Sequence, residues 1–188
     1  MPHRKTKLLP GCCYHLYNRG NNHQNIFFER ENYLYFLRQF RHYLVEETLD
    51  VLAYCLMPNH YHFLVCLRAE NLSQRMQAFT LSYTKAMNRR YDRCGSLFQG
   101  RFQSIPVDTE RYLLQLSYYI HLNPVKAGFV KYPEEWEFSS YLEYANLRQG
   151  TLPELGKIRQ IVGTAQAYRA AIEVGSSLEP QLRRLLLD

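Results

Sequence analysis

Between Gly11 and Gly20 the chain reads GCCYHLYNRG, with turn residues at both ends and β-prone Tyr and Cys between them, which predicts a first strand. Alternation puts His15 and Tyr17 on one of its faces. After a polar loop, residues 29–47 place Tyr33, Leu34, Leu37, Phe40, Leu44 and Val45 at a three-to-four spacing, an amphipathic helix. Two apolar runs, 49–57 and 60–67, flank Pro58-Asn59 and predict a β-hairpin. Residues 71–90 repeat the helical spacing with Leu72, Met76, Phe79, Tyr83 and Met87, and Asn71 or Ser73 is placed to cap them. The stretch 94–107 begins as a glycine-punctuated loop and ends in a strand, FQSIPV, with Pro106 at its edge or end. A further helix spans 109–122, capped by Thr109 and stopped by Pro124.

The order strand, helix, strand, strand, helix, strand, helix predicts an α+β fold. It is a ferredoxin-like (RRM-like) antiparallel sheet with helices on one face, plus a C-terminal helical extension. Beyond residue 145 the pattern breaks into short helical pieces at 155–162, 164–174 and 178–187, so the chain divides into 1–145 and a helical appendage, 146–188.

A length of 188 residues suits one domain with such an appendage, and 46% hydrophobic with 21% charged residues excludes a disordered polymer. No run approaches the roughly 18 apolar residues of a membrane span, and the start, MPHRKTKLLPG, is too polar for a signal peptide, so a cytoplasmic, nucleoid-associated protein is expected. Five cysteines, odd in number and without a CxxC pair, fit neither a disulfide framework nor a cysteine zinc site; they read as reduced thiols, mostly buried.

The formal charge is +6, and its distribution matters more. Residues 1–105 hold 14 Lys+Arg against 7 Asp+Glu, whereas residues 106–188 hold 9 against 10. Residues 1–24 carry Arg4, Lys5, Lys7 and Arg19 without an acid, and residues 71–105 carry six basic residues against Asp92 alone. Such patches attract polyanions by counterion release, and they also serve simply as solubilising surface. Sixteen tyrosines suit base stacking among cations and suit core packing equally.

Candidate chemistry begins at His60-Tyr61-His62. On a strand, both imidazoles face one side and Tyr61 the other. Two imidazoles about 7 Å apart along a strand can share one metal ion. The same tripeptide describes two polar side chains on a solvated face, and chance supplies about 0.3 HxH patterns in a chain with seven histidines. The apolar run Phe63 to Leu67 marks a central strand, where unpaired imidazoles are costly, so a partner is expected. On the helix 109–122, Gln115, Tyr119 and Asn123 follow at i, i+4 and i+8 and stack on one face. A tyrosine and an amide there fit a nucleophile and a metal ligand; they also fit an ordinary amphipathic surface. Pro124 disfavours helical backbone at Asn123 and leaves its side-chain direction open. His15 reads as a core-edge histidine rather than a group beside the imidazole pair.

His60-Tyr61-His62 within AYCLMPNHYHFLV, then SLFQGRF, then YYIHLNPVKAGFV, resembles the HUH single-tyrosine transposases, in the branch of REP-associated tyrosine transposases of insertion-sequence-200-like type. The resemblance covers residues 11–145. It implies that 1–145 is a transposase/nuclease domain whose sheet carries the metal-binding pair His60 and His62. It further implies that Tyr119 is the nucleophile and that Asn123 is a third, polar metal ligand. Tyr118 lies about 100° round the helix from Tyr119 and does not share the face of Asn123.

The expected activity is metal-dependent transesterification of single-stranded or hairpin DNA at repetitive palindromic sequences, with Mg²⁺ or Mn²⁺ as cofactor and a 5′-phosphotyrosine intermediate. There is no Walker A loop and no dinucleotide fingerprint, in keeping with strand joining that needs no nucleotide cofactor. A monomer or homodimer with no membrane association is expected. Candidate DNA contacts are Lys85, Arg89 and Arg90 at the basic end of helix 71–90, Gln99 and Arg101 in LFQGRF, and Arg19 beside the first strand; each also reads as solvated surface. Arg4, Lys5 and Lys7 form a basic arm or only a frayed terminus. Two other readings compete: a non-catalytic RRM-like single-strand binding module with an indifferent Tyr119, and a metal-dependent phosphodiesterase that uses water and forms no covalent adduct.

Overall fold

The structure, a computed structural model, describes residues 7–173. Arg4 and Lys5 of the basic arm and the helical piece expected at 178–187 lie outside the described residues. The strands are β1 (Cys13–Arg19), β2 (Leu49–Met57), β3 (His60–Leu67) and β4 (Gln103–Val107). The helices are α1 (Arg30–Phe40), α2 (Leu72–Arg90), α3 (Glu110–Lys126), α4 (Tyr141–Tyr144), α5 (Gly156–Val162) and α6 (Ala165–Glu173). No helix among the described residues is long and apolar enough to cross a membrane.

The four strands form one antiparallel sheet in the order β2-β3-β1-β4, the ferredoxin-like arrangement predicted from element order. Pro58 and Asn59 turn β2 into β3, with Met57 paired to His60. Pro106 sits in the edge strand β4, where the missing N–H costs no central ladder bond.

Period-two alternation gives the sheet two apolar faces. On one, Leu16, Tyr61, Phe63 and Val65 pack against Phe36 and Phe40 of α1 and Met76, Phe79 and Tyr83 of α2. The rings of Phe40 and Phe63 stack at 4.0 Å. These are the two helices of the ferredoxin-like unit. The added helices cover the opposite face, where Cys55, Leu64 and Cys66 meet Leu113, Leu116 and Ile120 of α3. Ile158, Tyr168 and Ile172, from the segment after residue 145, join this second cluster. A register shift between Val51 and Ala53 lets both Leu52 and Ala53 face α3.

His121 of α3 is hydrogen-bonded through both ring nitrogens to the helices that cover it. His121 Nε2 lies 2.7 Å from Ser140 Oγ, and its Nδ1 lies 2.8 Å from the Tyr168 hydroxyl, which donates to Ser117 Oγ at 3.0 Å. This fully buried network locks the orientation of α3 over the sheet.

Three local expectations are corrected. Helix α3 continues through Pro124 to Lys126, since packing of the helix over the sheet outweighs the N–H bond that Pro124 lacks and its crowding of the carbonyl one turn back. Asn71 stands at the N-cap of α2 without a capping side-chain bond, since its Oδ1 accepts from the Thr48 hydroxyl at 3.0 Å. The cysteines are not all free, mostly buried thiols. Cys13 and Cys66 occupy directly paired positions on β1 and β3 and form a disulfide, Cys12 and Cys94 are exposed, and Cys55 alone among the described residues is a buried free thiol. Thr109 caps α3 as expected, its side chain accepting from the Tyr112 N–H at 3.2 Å.

Candidate active site

The sheet's α3 face carries three imidazoles. His60 and His62 stand two residues apart on β3, and His15 projects from the neighbouring β1 beside them. Strand register pairs Tyr17 with His62 and Arg19 with His60. Because α3 stays helical past Asn123, Tyr119 and Asn123 share its inner face, four residues apart. All four expected site residues therefore meet between β3 and α3.

His60 Nδ1 lies 2.7 Å from Asn59 Oδ1, and its Nε2 lies 3.3 Å from Asn123 Oδ1. Burial pulls the His60 pKa down to about 4, with Arg19 adding to the drop and Asn123 opposing it, so at neutral pH the ring carries one proton. With that proton on Nε2 the ring donates to the Asn123 amide oxygen; with it on Nδ1 the ring donates to Asn59 and presents the Nε2 lone pair on the Asn123 side.

His62 is fully buried. Its Nδ1 shares one hydrogen bond with His15 Nε2 at 2.9 Å, and its Nε2 has no hydrogen-bond partner. Burial, with His15 and His60 as neighbours, holds its pKa well below the ordinary value, and burial pulls His15 down to about 3. The neutral imidazole is the form that ligates metals.

Tyr119 is 5% exposed, and its ring meets His62 edge-on with centroids 5.6 Å apart. The ammonium of Lys126 lies 5.2 Å from the centre of the same ring. Tyr118 turns away and packs against Tyr168 of α6 at 5.0 Å. Among the described residues no three His, Cys, Asp or Glu side chains come together as a metal cage. The donor set here is instead two imidazole nitrogens and an amide oxygen. The unpartnered Nε2 of His62, with His60 Nε2 and Asn123 Oδ1 on the same face, fits a divalent cation, and His15 and Asn59 contact the two rings at their other nitrogens.

The sequence profile of the family described as "Transposase IS200 like" matches residues 9–123, a span from just before β1 to Asn123. This chain belongs to the IS200-like transposase family. A Haemophilus influenzae protein named as a REP-associated tyrosine transposase is 27% identical over 103 residues, which is 49% of this chain and 58% of that relative. The match thus spans little more than half of the relative's length. A solved structure of a REP-associated tyrosine transposase bound to a REP hairpin overlays with a TM-score of 0.65 at 16% identity, covering 82% of this chain and 98% of the other. The two share a fold.

In this IS200-like chain the candidate DNA contacts separate into two groups. Arg19 and Gln99 join the site: the Arg19 guanidinium donates to the Gln99 amide oxygen, and the Gln99 N–H donates to the Arg19 carbonyl at 2.9 Å. Arg101 is exposed on the same loop, which Asn18 holds through a 3.3 Å bond to the Gly100 carbonyl. Lys85, Arg89 and Arg90 are exposed on α2, across the sheet from Tyr119, with Arg90 in an ion pair with Glu29. They do not converge with the other three.

The assignment of His15 to a core edge is corrected: it is the hydrogen-bond partner of His62. Its shared face with Tyr17 was legible in the alternation, and the rings stand 4.9 Å apart. Asn59 and Lys126 were not singled out by sequence, because their roles depend on a hairpin turn and on a helix that runs past its proline.

Proposed function

We propose that this chain is a metal-dependent nuclease and strand transferase that cuts single-stranded DNA by attack of Tyr119 on a phosphodiester. The observation that carries the reading is the convergence of Tyr119 with the unpartnered Nε2 of His62 and with the paired His60 and Asn123 on one side of the sheet. Mg²⁺ or Mn²⁺ would be held by those three residues. Such an ion supplies Lewis-acid neutralisation of a non-bridging phosphate oxygen.

The chain's own groups do the rest. Tyr119 loses its proton as its oxygen forms a bond to phosphorus, and the P–O3′ bond breaks, leaving a 5′-phosphotyrosine and an oxygen that takes up a proton as a free 3′-hydroxyl. One phosphoester is exchanged for another, so a 3′-hydroxyl can reverse the step and rejoin strands. In this reading His15 and Asn59 accept from Nδ1 of the two rings, which turns each Nε2 lone pair toward the metal. Arg19, beside His60, is placed to take a flanking phosphate. Hairpin-forming DNA is the substrate we assign, in line with the REP hairpin bound by the solved relative. An RRM-like binding module is disfavoured because such modules read bases on an open sheet, whereas α3 and the helices after it cover this face.

The test is incubation of labelled hairpin DNA with Mn²⁺ or Mg²⁺, resolved on a denaturing protein gel, for the wild type, Tyr119→Phe and His60→Ala. A covalent adduct that chelation and both substitutions abolish is expected. Cleavage without an adduct that survives Tyr119→Phe points to a water nucleophile, and binding without cleavage points to a non-catalytic module.

A further inference from the structure

The segment after α3 carries a feature the chemistry does not use. Phe129 is 53% exposed and Tyr132 is 49% exposed, two of the few large apolar side chains so placed among the described residues. Their backbone is tied to the site: the Ala127 N–H donates to the Asn123 carbonyl at 2.9 Å, and the Phe129 N–H donates to the Pro124 carbonyl at 3.0 Å. Gly128 takes the positive φ of +73° that this turn requires. Behind Phe129 stands Trp136, with ring centroids 5.6 Å apart and its indole N–H fixed on the Leu56 carbonyl of β2 at 3.0 Å.

Cations alternate with these rings. Lys126 stands over Tyr119, and Lys131 lies 5.0 Å from the centre of the Tyr132 ring. Of the nearby acids, Glu135 accepts the backbone N–H groups of Lys131 and Tyr132, and Glu137 is paired with Arg30; Glu134 is the remaining one. Ammonium groups alternating with exposed aromatic faces match the alternation of phosphate and base along an unpaired strand, and match a purely apolar partner poorly.

We infer that Phe129, backed by Trp136, and Tyr132 form a stacking platform for unpaired bases of the DNA strand whose phosphate is presented to Tyr119. The inference rests on the proposed function, and it adds where the flanking bases lie. Every base has a π face, so the platform contributes affinity and placement with little sequence preference.

The chain has one tryptophan beside 16 tyrosines, so emission excited at the red edge, where only indole absorbs, reports on Trp136 alone. The full chain is titrated with a short oligothymidylate, following both Trp136 emission and the anisotropy of the labelled strand. Quenching of Trp136 is expected, with Phe129→Ala and Tyr132→Ala each weakening binding roughly 5- to 100-fold and Tyr132→Phe restoring it. Both alanine variants truncate exposed side chains, and unchanged circular dichroism confirms their fold. Binding with unmoved Trp136 emission and undiminished affinity in both alanine variants overturns the platform, while a persisting Tyr119 adduct leaves the function intact. Quenching without any adduct keeps the platform and removes the nuclease reading. No binding of the oligothymidylate by the wild type overturns the platform alone, and adduct formation on hairpin DNA then decides the function separately.

Discussion

His15 Nε2 and His62 Nδ1 lie 2.9 Å apart in a fully buried contact between β1 and β3. The bond engages one ring nitrogen of His62 and leaves the other, Nε2, without a hydrogen-bond partner; in the proposed site that nitrogen is the metal ligand. Replacing His15 by Phe keeps the volume and removes the hydrogen-bond partner of Nδ1. The ion requirement is expected to shift to roughly 10- to 100-fold higher Mn²⁺, with adduct formation recovering at saturating metal. A metal-titration of adduct yield checks this, and an unshifted midpoint would leave His15 as core packing alone.

In the proposed site Asn123 would supply the third donor through Oδ1, which lies 3.3 Å from His60 Nε2. Asn123→Asp keeps an oxygen there and adds a negative charge, so Mn²⁺ binding is expected to tighten. Asn123→Leu removes the oxygen and is expected to weaken it. Isothermal titration of the protein with Mn²⁺ reads both directions without requiring turnover.

Stability is expected to fall with acid, and the sign follows from the buried histidines. Burial lowers His121 and His15 to about 3 and His60 to about 4 in the folded chain. Below their ordinary value of about 6.5 the unfolded chain binds protons that the folded chain refuses. The stabilisation from the neutral rings is therefore complete above about pH 6.5 and is lost as pH drops toward the folded values. His121 alone contributes a slope on the order of 1 kcal/mol per pH unit. Denaturant unfolding from neutral to acid pH is expected to show a steep slope that His121→Gln reduces by about one proton. An unchanged slope in that variant would assign the acid sensitivity elsewhere.

The N-terminus of α3 offers a stability test that leaves the site untouched. The Thr109 side chain accepts from the Tyr112 N–H, and Thr109→Ala is expected to cost about 1 kcal/mol by chemical denaturation.

Much of this arrangement was legible in the sequence because strand and helix periods are rigid. Alternation alone sends His60 and His62 to one face, and a four-residue step does the same for Tyr119 and Asn123. What the sequence left open depends on contacts between elements. The pairing of His15 with His62 follows from the β1–β3 register, which no local pattern specifies. The direction of Asn123 depends on whether Pro124 ends the helix, and here packing of α3 over the sheet outweighs the local preference. The charge of Lys85, Arg89 and Arg90 drew them toward the site in sequence, yet α2 lies on the opposite face.

The central claim is that Tyr119 is the nucleophile, and two other tyrosines lie close enough to compete. Tyr118 precedes it on α3 and Tyr17 has its ring 6.2 Å from that of His62. Proteolysis of the DNA-linked protein followed by mass spectrometry of the nucleotide-bearing peptide distinguishes all three. The account predicts a phosphodiester on Tyr119, with adduct retained in Tyr118→Phe and Tyr17→Phe. A nucleotide found on Tyr118 or Tyr17, or on no tyrosine while cleavage proceeds, would contradict it.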